Sequence, residues 1–397
     1  MDAGSPSPSP DDAHRQEAPD TARGLVRVTP EWLRGEGESS DVVLSSRVRL
    51  ARNIASFPFS HEADRAARAE ILSRVHAAVG AVGLPSGGGR VGLTAPLWID
   101  LVDATKLERQ LLVERLAVSR QLAKGRYGRD GGGTDEPRGV ALSLPGERAG
   151  VLVNEEDHLR IQSVRSGLAL NEALKEADAI DDAMESKLDF AYSPRFGYLT
   201  ACPTNVGTGA RFGVMLHLPG LRITGEVEKV RRAAADISLA VRGFHGEGSE
   251  TLGDLYQLSN QTTLGKSESV LLGELADDIL PNVIGYERRA RQQLLENRRP
   301  FLEDLVYRAL GVLLHARLLT AEEAMQQLSL LRLGCDLAII GDSAQRPGLR
   351  RAVHELFLTC QPAHLQQSIG EVLGQDKRRE VRATMVRDCL SPILGGG

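Results

Sequence analysis

The chain has 397 residues, of which 42% are hydrophobic and 25% are charged, a composition typical of a globular protein long enough for two domains. Its formal net charge of −5 gives no reason to expect nucleic acid or an anionic membrane as a main partner. The four cysteines include no CxxC pair, so neither a zinc site nor a disulfide framework is expected. Because no apolar run approaches the roughly 20 residues that span a bilayer and no signal-peptide pattern is present, the sequence predicts a cytoplasmic protein.

Two stretches of the chain are predicted to lack regular structure. Residues 1–24 are rich in Ser, Pro and Asp, so they cannot bury enough apolar surface to offset the entropy of ordering and are expected to form a disordered tail. Residues 124–139 contain three consecutive glycines and are expected to form a mobile surface loop. This loop follows TKLERQLLVERLAVSRQLA (105–123), a pattern typical of a helix.

The rest of the chain divides into two regions of different character. Over residues 25–265, short alternating segments interleave with helices, which predicts an α+β domain with a mainly antiparallel sheet flanked by helices. Over residues 275–397, leucines recur at helical spacing and predict an all-α C-terminal domain. There, Thr320 and Glu323 form the pattern of a capping box, and Gly334 is expected to end the helix.

Alternation with a period of two puts arginines on the polar faces of several predicted strands. In SSRVRLARN (45–53), Val48 and Leu50 fall on one face and Arg47 and Arg49 on the other, because successive side chains of a strand point in opposite directions. The same alternation places further side chains on polar strand faces, namely His158, Arg160, Gln162, Arg211 and Arg242.

One arginine on the outer face of a strand is most often a solvated surface residue, and an exposed ion pair contributes only about 0–1 kcal/mol. Five arginines that meet on one face would repel each other unless an anion lay among them. A nucleoside triphosphate with its Mg²⁺ suits this role, because phosphate oxygens match the planar guanidinium group. The chain has no GxxxxGK[ST] motif and no HRD or DFG set, so arginines would have to replace the P-loop.

Four segments resemble, in family order, the motifs of the phosphagen (guanidino) kinases. CPTNVGTGAR (202–211) resembles the cysteine signature and NEEDHLRIQ (154–162) the carboxylate motif. SSRVRLARN and VRGFHGEGSE (241–250) resemble the remaining nucleotide and substrate segments. Within the family the chain is most similar to the bacterial protein-arginine kinases of the McsB family, because only a short lead precedes the first arginine motif and the extra domain lies at the C-terminus.

The resemblance implies transfer of the γ-phosphoryl group of ATP, with Mg²⁺, to an arginine side chain of a protein. It implies catalytic roles for Glu156, Glu247 and Cys202. The residues that it implies for nucleotide binding are Ser45, Ser46, Arg47, Val48, Arg49, Arg160, Arg211, Phe212, Gly213, Val214, Met215, Arg242, Gly243, Phe244, His245, Gly246 and Glu247.

The residue types agree with this chemistry. A guanidinium group has a pKa of about 12.5 to 13.8, so a carboxylate must orient it and accept a proton as the N–P bond forms. Cys202, placed among cationic groups, is expected to shift toward the thiolate and to pair with the substrate guanidinium. The ordinary interpretations are a packed cysteine, a helix or turn cap for Glu156 and a solvated loop residue for Glu247.

Three positions depart from the family pattern or stay open. Leu116 stands where the family commonly has a histidine near the adenine, so it is left out of the predicted site. In REVRAT (379–384), Ala383 and Thr384 break the RDxxRA pattern that binds phosphoarginine in protein-arginine kinases. Asp157 and His158 are expected to have a structural or magnesium-shell role.

The resemblance also implies partners. These are protein substrates with exposed arginines, a heat-shock repressor, a zinc-binding activator, a Clp-type unfoldase and a second copy of the chain in a homodimer. Two alternative functions stay open from the sequence: a kinase for free arginine or another small guanidino compound, and a non-catalytic adaptor that binds arginine-rich or phosphoarginine-bearing partners.

Overall fold

The computed structural model describes residues 22–85, 93–125, 133, 135–236, 239–243 and 252–394. The strands are β1 (Val43–Arg52), β2 (Leu84–Pro85), β3 (Leu93–Thr94), β4 (Leu97–Asp100), β5 (Gly139–Leu142), β6 (Ala149–Val153), β7 (Leu159–Ser166), β8 (Tyr192–Ser193), β9 (Gly197–Tyr198), β10 (Ala210–His217), β11 (Leu239–Gly243) and β12 (Leu255–Asn260).

The helices are α1 (Arg65–Val82), α2 (Lys106–Glu114), α3 (Arg120–Lys124), α4 (Leu170–Glu185), α5 (Pro219–Ile223), α6 (Val227–Asp236), α7 (Glu268–Gly273), α8 (Leu280–Asn297), α9 (Arg299–His315), α10 (Ala321–Asp336), α11 (Gln345–Thr359), α12 (Pro362–Ile369) and α13 (Gln375–Leu394). A π-helical segment, Glu274–Ile279, joins α7 to α8. None of the helices in the described ranges is both long and apolar enough to cross a membrane.

Eight strands form one antiparallel sheet in the order β11-β12-β10-β1-β7-β6-β5-β4, which confirms the predicted fold class. Strand β1 lies between β10 and β7. In its register Arg49 stands opposite Arg211 on one side and opposite Gln162 on the other. Residues directly opposite in neighbouring strands share a face, so the pairing brings polar side chains from three distant segments together.

The two faces of this sheet are covered differently. On one face Val48, Leu50 and Phe212 are buried in the main hydrophobic core with α1 and α4. On the opposite face Leu44 and Met215 pack against the C-terminal helices. The arginines that alternation assigns to polar faces of β1, β7 and β10 lie on this second face, so the C-terminal region borders the surface where the site is found.

The last residues of the predicted tail, 22–24, are described and have defined contacts. Ala22 and Leu25 are buried against the β4–β5 edge of the sheet, and Gly24–Arg27 form a 3₁₀ turn. Residues 22–24 are therefore part of the folded domain. The other residues of the predicted tail, 1–21, lie outside the described residues, as do residues 126–132 and 134 of the predicted loop at 124–139.

The predicted helix over 105–123 is interrupted. Helix α2 ends at Glu114 and α3 begins only at Arg120, because Leu116 has a left-handed backbone with φ of 58°. The Ser119 side chain accepts a bond from the Leu122 amide and restarts the helix. Apolar periodicity continued through this break, so the pattern alone did not predict it.

Gly334 does not end α10, which continues to Asp336. A Cβ at this position would lie 2.3 Å from Cγ1 of Val306 on α9, so the glycine permits close approach of two helices. At the other end the prediction of a helix start is confirmed, since Thr320 accepts a bond of 3.0 Å from the Glu323 amide.

The sheet meets the C-terminal helices through a group of paired charges, called here the sheet–helix joint. Arg291 on α8 donates to Glu287 at 2.6 Å and to the His217 carbonyl at 3.1 Å. Glu287 also accepts the backbone amides of Gly220 and Leu221, both at 2.9 Å. The remaining arginines of the joint and their acidic partners are Arg288, Arg332, Arg350, Asp41 and Asp336.

Candidate active site

The structure brings together the five arginines that alternation places on polar strand faces. Their side chains come from four strands and line one cavity of about 1270 Å³. Of the described residues that line it, eight are arginines and three are glutamates. The five from the sequence motifs are Arg47, Arg49, Arg160, Arg211 and Arg242.

Burial, and after it the charges of neighbouring arginines, lowers the pKa values of three of these arginines. Removal from water, followed by the neighbouring charge of Arg160, lowers the pKa of Arg47 to about 10. The pKa of Arg49 falls well below its usual value, through burial and then through the charges of Arg47, Arg160 and Arg211. Burial and Arg242 lower the pKa of Arg211. A protein that keeps unfavourable cations together in one cavity stabilises an anion bound there.

Two of these groups are left without a partner. Within the described part of the chain, Arg49 and Arg211 form neither a hydrogen bond nor an ion pair. Arg47 donates from Nη2 to Oε1 of Gln162 at 2.6 Å, but its buried Nε has no hydrogen-bond partner among the described atoms. Buried donors are normally paired, so these donors are suited to an anionic ligand with several acceptor oxygens.

The carboxylate motif lies in the loop between β6 and β7. Glu155 forms an ion pair of 2.5 Å with Arg160 and its side chain is 1% exposed. Glu156 lies 3.3 Å from Arg160, and its side chain is 32% exposed and lines the cavity. The two adjacent acids therefore differ: Glu155 is buried against Arg160, whereas Glu156 is partly exposed to the cavity. The sequence motif did not distinguish them, and Glu155 was absent from the predicted site.

Asp157 ties the carboxylate motif to the cysteine loop. Its Oδ1 accepts from Nδ2 of Asn53 and from the amide of Ala201, both at 2.7 Å. Asn53 also donates to the Leu199 carbonyl at 3.1 Å. Asp157 is 1% exposed, and burial raises its pKa. Of the two roles left open by the sequence, these contacts favour the structural one.

His158 is likewise held by backbone groups. Its Nδ1 accepts from the Ile54 amide at 3.0 Å, so Nε2 carries the proton and donates to the Pro58 carbonyl at 2.8 Å. Burial lowers the pKa of His158 to about 4, and the ring is neutral at pH 7. Alternation had placed His158 on the outer polar face, but β7 starts only at Leu159, and the imidazole is fully buried.

The cysteine loop requires both of its glycines. Gly207 and Gly209 have φ of 112° and 66°, conformations that side chains rarely adopt, and a Cβ at Gly209 would lie 2.7 Å from the Ala51 carbonyl oxygen. The turn places the half-buried thiol of Cys202 in the cavity wall, with Sγ 3.0 Å from Oγ1 of Thr204.

A smaller cavity of about 40 Å³ adjoins the arginines. Its wall combines Arg47 and Arg49 with apolar side chains, among them Leu116 and Met215. Leu116 had been left out of the predicted site, yet its left-handed backbone places it here. Of the predicted nucleotide residues, those that line this cavity besides the two arginines are Ser45, Gly213, Val214 and Met215.

Four predicted nucleotide residues have side chains on the face of the sheet opposite the cavities. Val48, Phe212 and Val214 are buried in the main core. The Ser46 hydroxyl donates to the Gly167 carbonyl and accepts from the Ala169 amide, both at 2.9 Å. The reason is the alternation itself, since consecutive residues of a strand cannot face the same cavity.

The residues predicted from the motif at 241–250 are only partly described. Arg242 and Gly243 end β11 and line the large cavity. Phe244, His245, Gly246 and Glu247 lie outside the described residues, so the second predicted carboxylate stays a prediction.

Several lining residues had no signal in the sequence motifs. Gln162 was noted only as polar, whereas it is 1% exposed and bonded to Arg47. Helices α3 and α6 contribute Arg120, Arg231 and Arg232 to the large cavity. On a helix these arginines resemble ordinary solvated residues. Among the described residues, no three His, Cys, Asp or Glu side chains are grouped to hold a metal ion.

The fold and this site together are those of an ATP:guanido phosphotransferase. A family model described as the ATP:guanido phosphotransferase C-terminal catalytic domain matches residues 96–290. A second model, the protein-arginine kinase McsB C-terminal domain, matches residues 299–393.

Curated relatives show to which family within this class the chain belongs. A protein-arginine kinase from Halothermothrix orenii is 39% identical over 91% of this chain and 96% of its own length, and one from Bacillus cereus is 40% identical over 91% and 95%. The chain belongs to the protein-arginine kinase family.

Solved structures agree with the fold. A duplicated taurocyamine kinase from Schistosoma mansoni with bound transition state analog components has a TM-score of 0.53 and 26% identity over 68% of this chain. This chain spans 36% of that duplicated protein. A lombricine kinase has a TM-score of 0.51 and 24% identity, over 69% of this chain and 72% of its own, and shows the shared fold.

Proposed function

We propose that this protein transfers the γ-phosphoryl group of ATP to arginine side chains of other proteins. The observation that carries the proposal is the cavity in which Arg47, Arg49 and Arg211 converge with buried or unpaired donors. A triphosphate supplies the acceptors that these groups lack, and guanidinium groups bind phosphate oxygens through paired hydrogen bonds. The membership of the chain in the protein-arginine kinase family supports the same activity.

The site residues fit the parts of the nucleotide. The wall of the small cavity beside Arg47 and Arg49 is partly apolar, which suits one face of a flat base, and Leu116 and Met215 would contact it. A cavity of about 40 Å³ would have to widen to enclose the whole base. The phosphates would extend along the arginines into the large cavity. Mg²⁺ usually binds through substrate phosphates, water and one or two carboxylates, and Glu155 in the cavity wall is the candidate for that contact. The ion would neutralise charge on the phosphates.

The reaction requires a deprotonated guanidine in line with the γ-phosphorus. Glu156 would orient the substrate guanidinium and accept the proton that leaves as the N–P bond forms, while the bond from γ-phosphorus to the bridging oxygen breaks and ADP departs. Cys202, in the wall of the same cavity, would contact the other side of the guanidine. The arginines would stabilise charge on the transferring oxygens. Glu247 is proposed as the second carboxylate from the motif alone.

A direct test compares Glu156→Gln with Glu172→Gln in the full chain. Glu172 is an exposed glutamate on α4, away from both cavities. With Mg-ATP and a protein substrate, Glu156→Gln is expected to lower the rate of phosphoarginine formation by roughly 10²–10⁴-fold, the usual contribution of a general base. The control variant is expected to match the unmodified protein. Full activity of Glu156→Gln would contradict the mechanism.

The same assay separates the alternative functions. If free arginine is phosphorylated and protein arginine is not, the chain is a small-molecule guanidino kinase. If protein binds but acid-labile phosphate never forms, the chain is an adaptor. The homodimer, a heat-shock repressor as substrate, a zinc-binding activator and transfer of marked proteins to a Clp-type unfoldase are proposals that rest on the family resemblance alone.

A further inference from the structure

The turn that follows α2 touches both the C-terminal helices and the nucleotide cavities. Arg115, Leu116 and Ala117 line the small cavity. The residue just before them, Glu114, contacts α12 of the C-terminal region. Through this turn, a wall of the small cavity is bonded directly to the helical region.

Glu114 anchors the start of α12. Its carboxylate accepts the amides of Ala363 at 2.8 Å and His364 at 3.0 Å, which are free donors at a helix N-terminus. The same carboxylate lies 2.9 Å from Nδ1 of His364. Both side chains are 1% exposed, so water does not compete for these bonds.

The tautomer of His364 follows from its second contact. Nη1 of Arg115 lies 3.3 Å from Nε2 of His364. A guanidinium group can only donate, so Nε2 accepts and the proton is on Nδ1, which donates to Glu114. Burial lowers the pKa of His364, in agreement with a neutral ring. One imidazole thus connects two successive residues of the α2 turn.

Arg115 passes this constraint to the turn. Its guanidinium forms two-pronged bonds to Glu147, from Nε at 3.0 Å and from Nη2 at 2.7 Å, and Nη2 also donates to the Val28 carbonyl at 2.8 Å. Its own carbonyl accepts from Nε1 of Trp32 at 3.0 Å. Arg115 is 1% exposed, and these bonds fix both its side chain and its backbone carbonyl. The backbone of the next residue, Leu116, is therefore held in place.

Gln162 continues the path to the phosphate site. Its Nε2 donates to the Ala117 carbonyl at 3.3 Å, and its Oε1 accepts from Arg47 at 2.6 Å. Only this orientation of the amide satisfies both neighbours, because a carbonyl cannot donate and a guanidinium cannot accept. The Arg47 guanidinium is therefore held by a side chain that is itself held by the α2 turn.

We propose that His364 and Gln162 are positioning residues for ATP: His364 sets the α2 turn from the C-terminal helices, and Gln162 transmits that position to Arg47. The proposal rests on the proposed function, since it assumes that the two cavities hold the nucleotide. Among the described residues, none from the C-terminal helices lines either cavity. Under this proposal the helical region still affects ATP binding, because it holds the α2 turn.

The experiment measures Mg-ATP affinity and the phosphorylation of a protein substrate by the full-length chain. His364→Asn keeps a donor toward Glu114 and removes the acceptor for Arg115. Gln162→Met keeps the side-chain volume and removes both bonds. Each variant is expected to raise the Kd and the KM for ATP roughly three- to tenfold, as for one lost buried hydrogen bond, and to change kcat at saturating ATP less than KM.

A matched control and a double variant distinguish positioning from general stability. Gln366→Met on α12 removes buried bonds to Pro362 and Leu373 without touching Glu114 or Arg115, and should lower the melting temperature but leave the Kd for ATP unchanged. Because both bonds belong to one path, the double variant His364→Asn/Gln162→Met should raise Kd no more than the larger single effect.

The outcomes separate this inference from the proposed function. If the unmodified chain binds Mg-ATP and phosphorylates protein while both variants keep its Kd, the inference alone is overturned. Effects that multiply in the double variant also overturn it. A full-length chain that binds no Mg-ATP overturns both. If His364→Asn does not fold, Gln162→Met still decides, because its bonds lie within the sheet face and the α2 turn.

Discussion

Arginines gather in two regions of this molecule, and carboxylates accompany them differently. In the sheet–helix joint, each of Arg288, Arg291, Arg332 and Arg350 has a carboxylate oxygen within 3.8 Å. On the cavity face, Arg49 and Arg211 have none among the described residues, although Arg160 has two. Paired arginines hold elements together, whereas unpaired ones that face a cavity are preorganised for an anionic ligand.

The largest expected effect tests the cavity side of this comparison. Arg49→Met should lower kcat/KM for protein-arginine phosphorylation on the order of 10³-fold, because a cation that we propose stabilises the transferring phosphoryl group is lost. The urea midpoint should stay the same or rise, since Arg49 is repelled by Arg47, Arg160 and Arg211 in the free protein. A large loss of stability with activity retained would place Arg49 in the structural group.

The same substitution in the joint should do the opposite. Arg291→Met removes the partner of the fully buried Glu287 and is expected to lower the free energy of unfolding by about 3–5 kcal/mol. At a temperature where the variant is folded, its kcat/KM should stay within about twofold of the unmodified value. Urea titration and steady-state kinetics on one preparation measure both. A stable but inactive variant would contradict the division into two groups.

His158 tests whether a residue within a site motif can have a purely structural role. It lies in the carboxylate motif, but its contacts are to the backbone of Ile54 and Pro58. Its pKa falls from 6.5 to about 4 on folding, a difference worth about 3 kcal/mol. Between these values the unfolded chain binds the proton and the folded chain does not. The contribution is therefore complete above pH 6.5 and is lost as pH falls toward 4.

The measurement is the free energy of unfolding at several pH values for the protein and for His158→Gln. The variant should show a flatter profile between pH 6.5 and 4, by up to about 3 kcal/mol. The buried His217, His354 and His364 also have lowered pKa values, so they change the stability of both proteins in the same direction. Their contribution cancels when one profile is subtracted from the other, and the difference reports His158 alone. Identical slopes would show that His158 does not titrate in this range.

The smallest expected effect comes from an exposed pair outside both regions. Arg308 and Asp304 on α9 are 2.8 Å apart, but their side chains are 75% and 55% exposed. Arg308→Ala should change the free energy of unfolding by less than about 0.5 kcal/mol and should not change kcat/KM. If urea titration showed the free energy of unfolding to fall by more than about 2 kcal/mol, an exposed ion pair would be as important for stability as a buried one, which would contradict the division.

Part of this architecture could be predicted from local pattern. The separation of Arg47 and Arg49 from Val48 and Leu50 is correct, because alternation depends only on extended backbone. Gly207 and Gly209 of the cysteine signature have the positive φ angles that glycine readily adopts. The side chains of Ser46, Val48, Phe212 and Val214 face away from the cavities for the same reason, since a motif copied as a continuous run includes residues of the opposite face.

Other features could not be read from neighbouring residues. The break at Leu116 and the continuation of α10 through Gly334 depend on what packs against them, which are the cavity wall and Val306. Glu155 and Glu156 are chemically identical in the sequence. In the structure both contact Arg160, but the Glu155 side chain is 1% exposed and the Glu156 side chain 32%, a difference set by the folded loop.

Local chemistry along the chain was sufficient to establish which side chains share a strand face, which turns need glycine and in what order the motifs occur, because these properties involve residues a few positions apart. Whether the arginines of β1, β7, β10 and β11 meet in one cavity depended on strand order and register between segments up to about two hundred residues apart. Long-range packing also separated the paired from the unpaired arginines. A guanidinium group has the same chemistry everywhere in the sequence, and its role follows from whether folding brings it a carboxylate or a cavity.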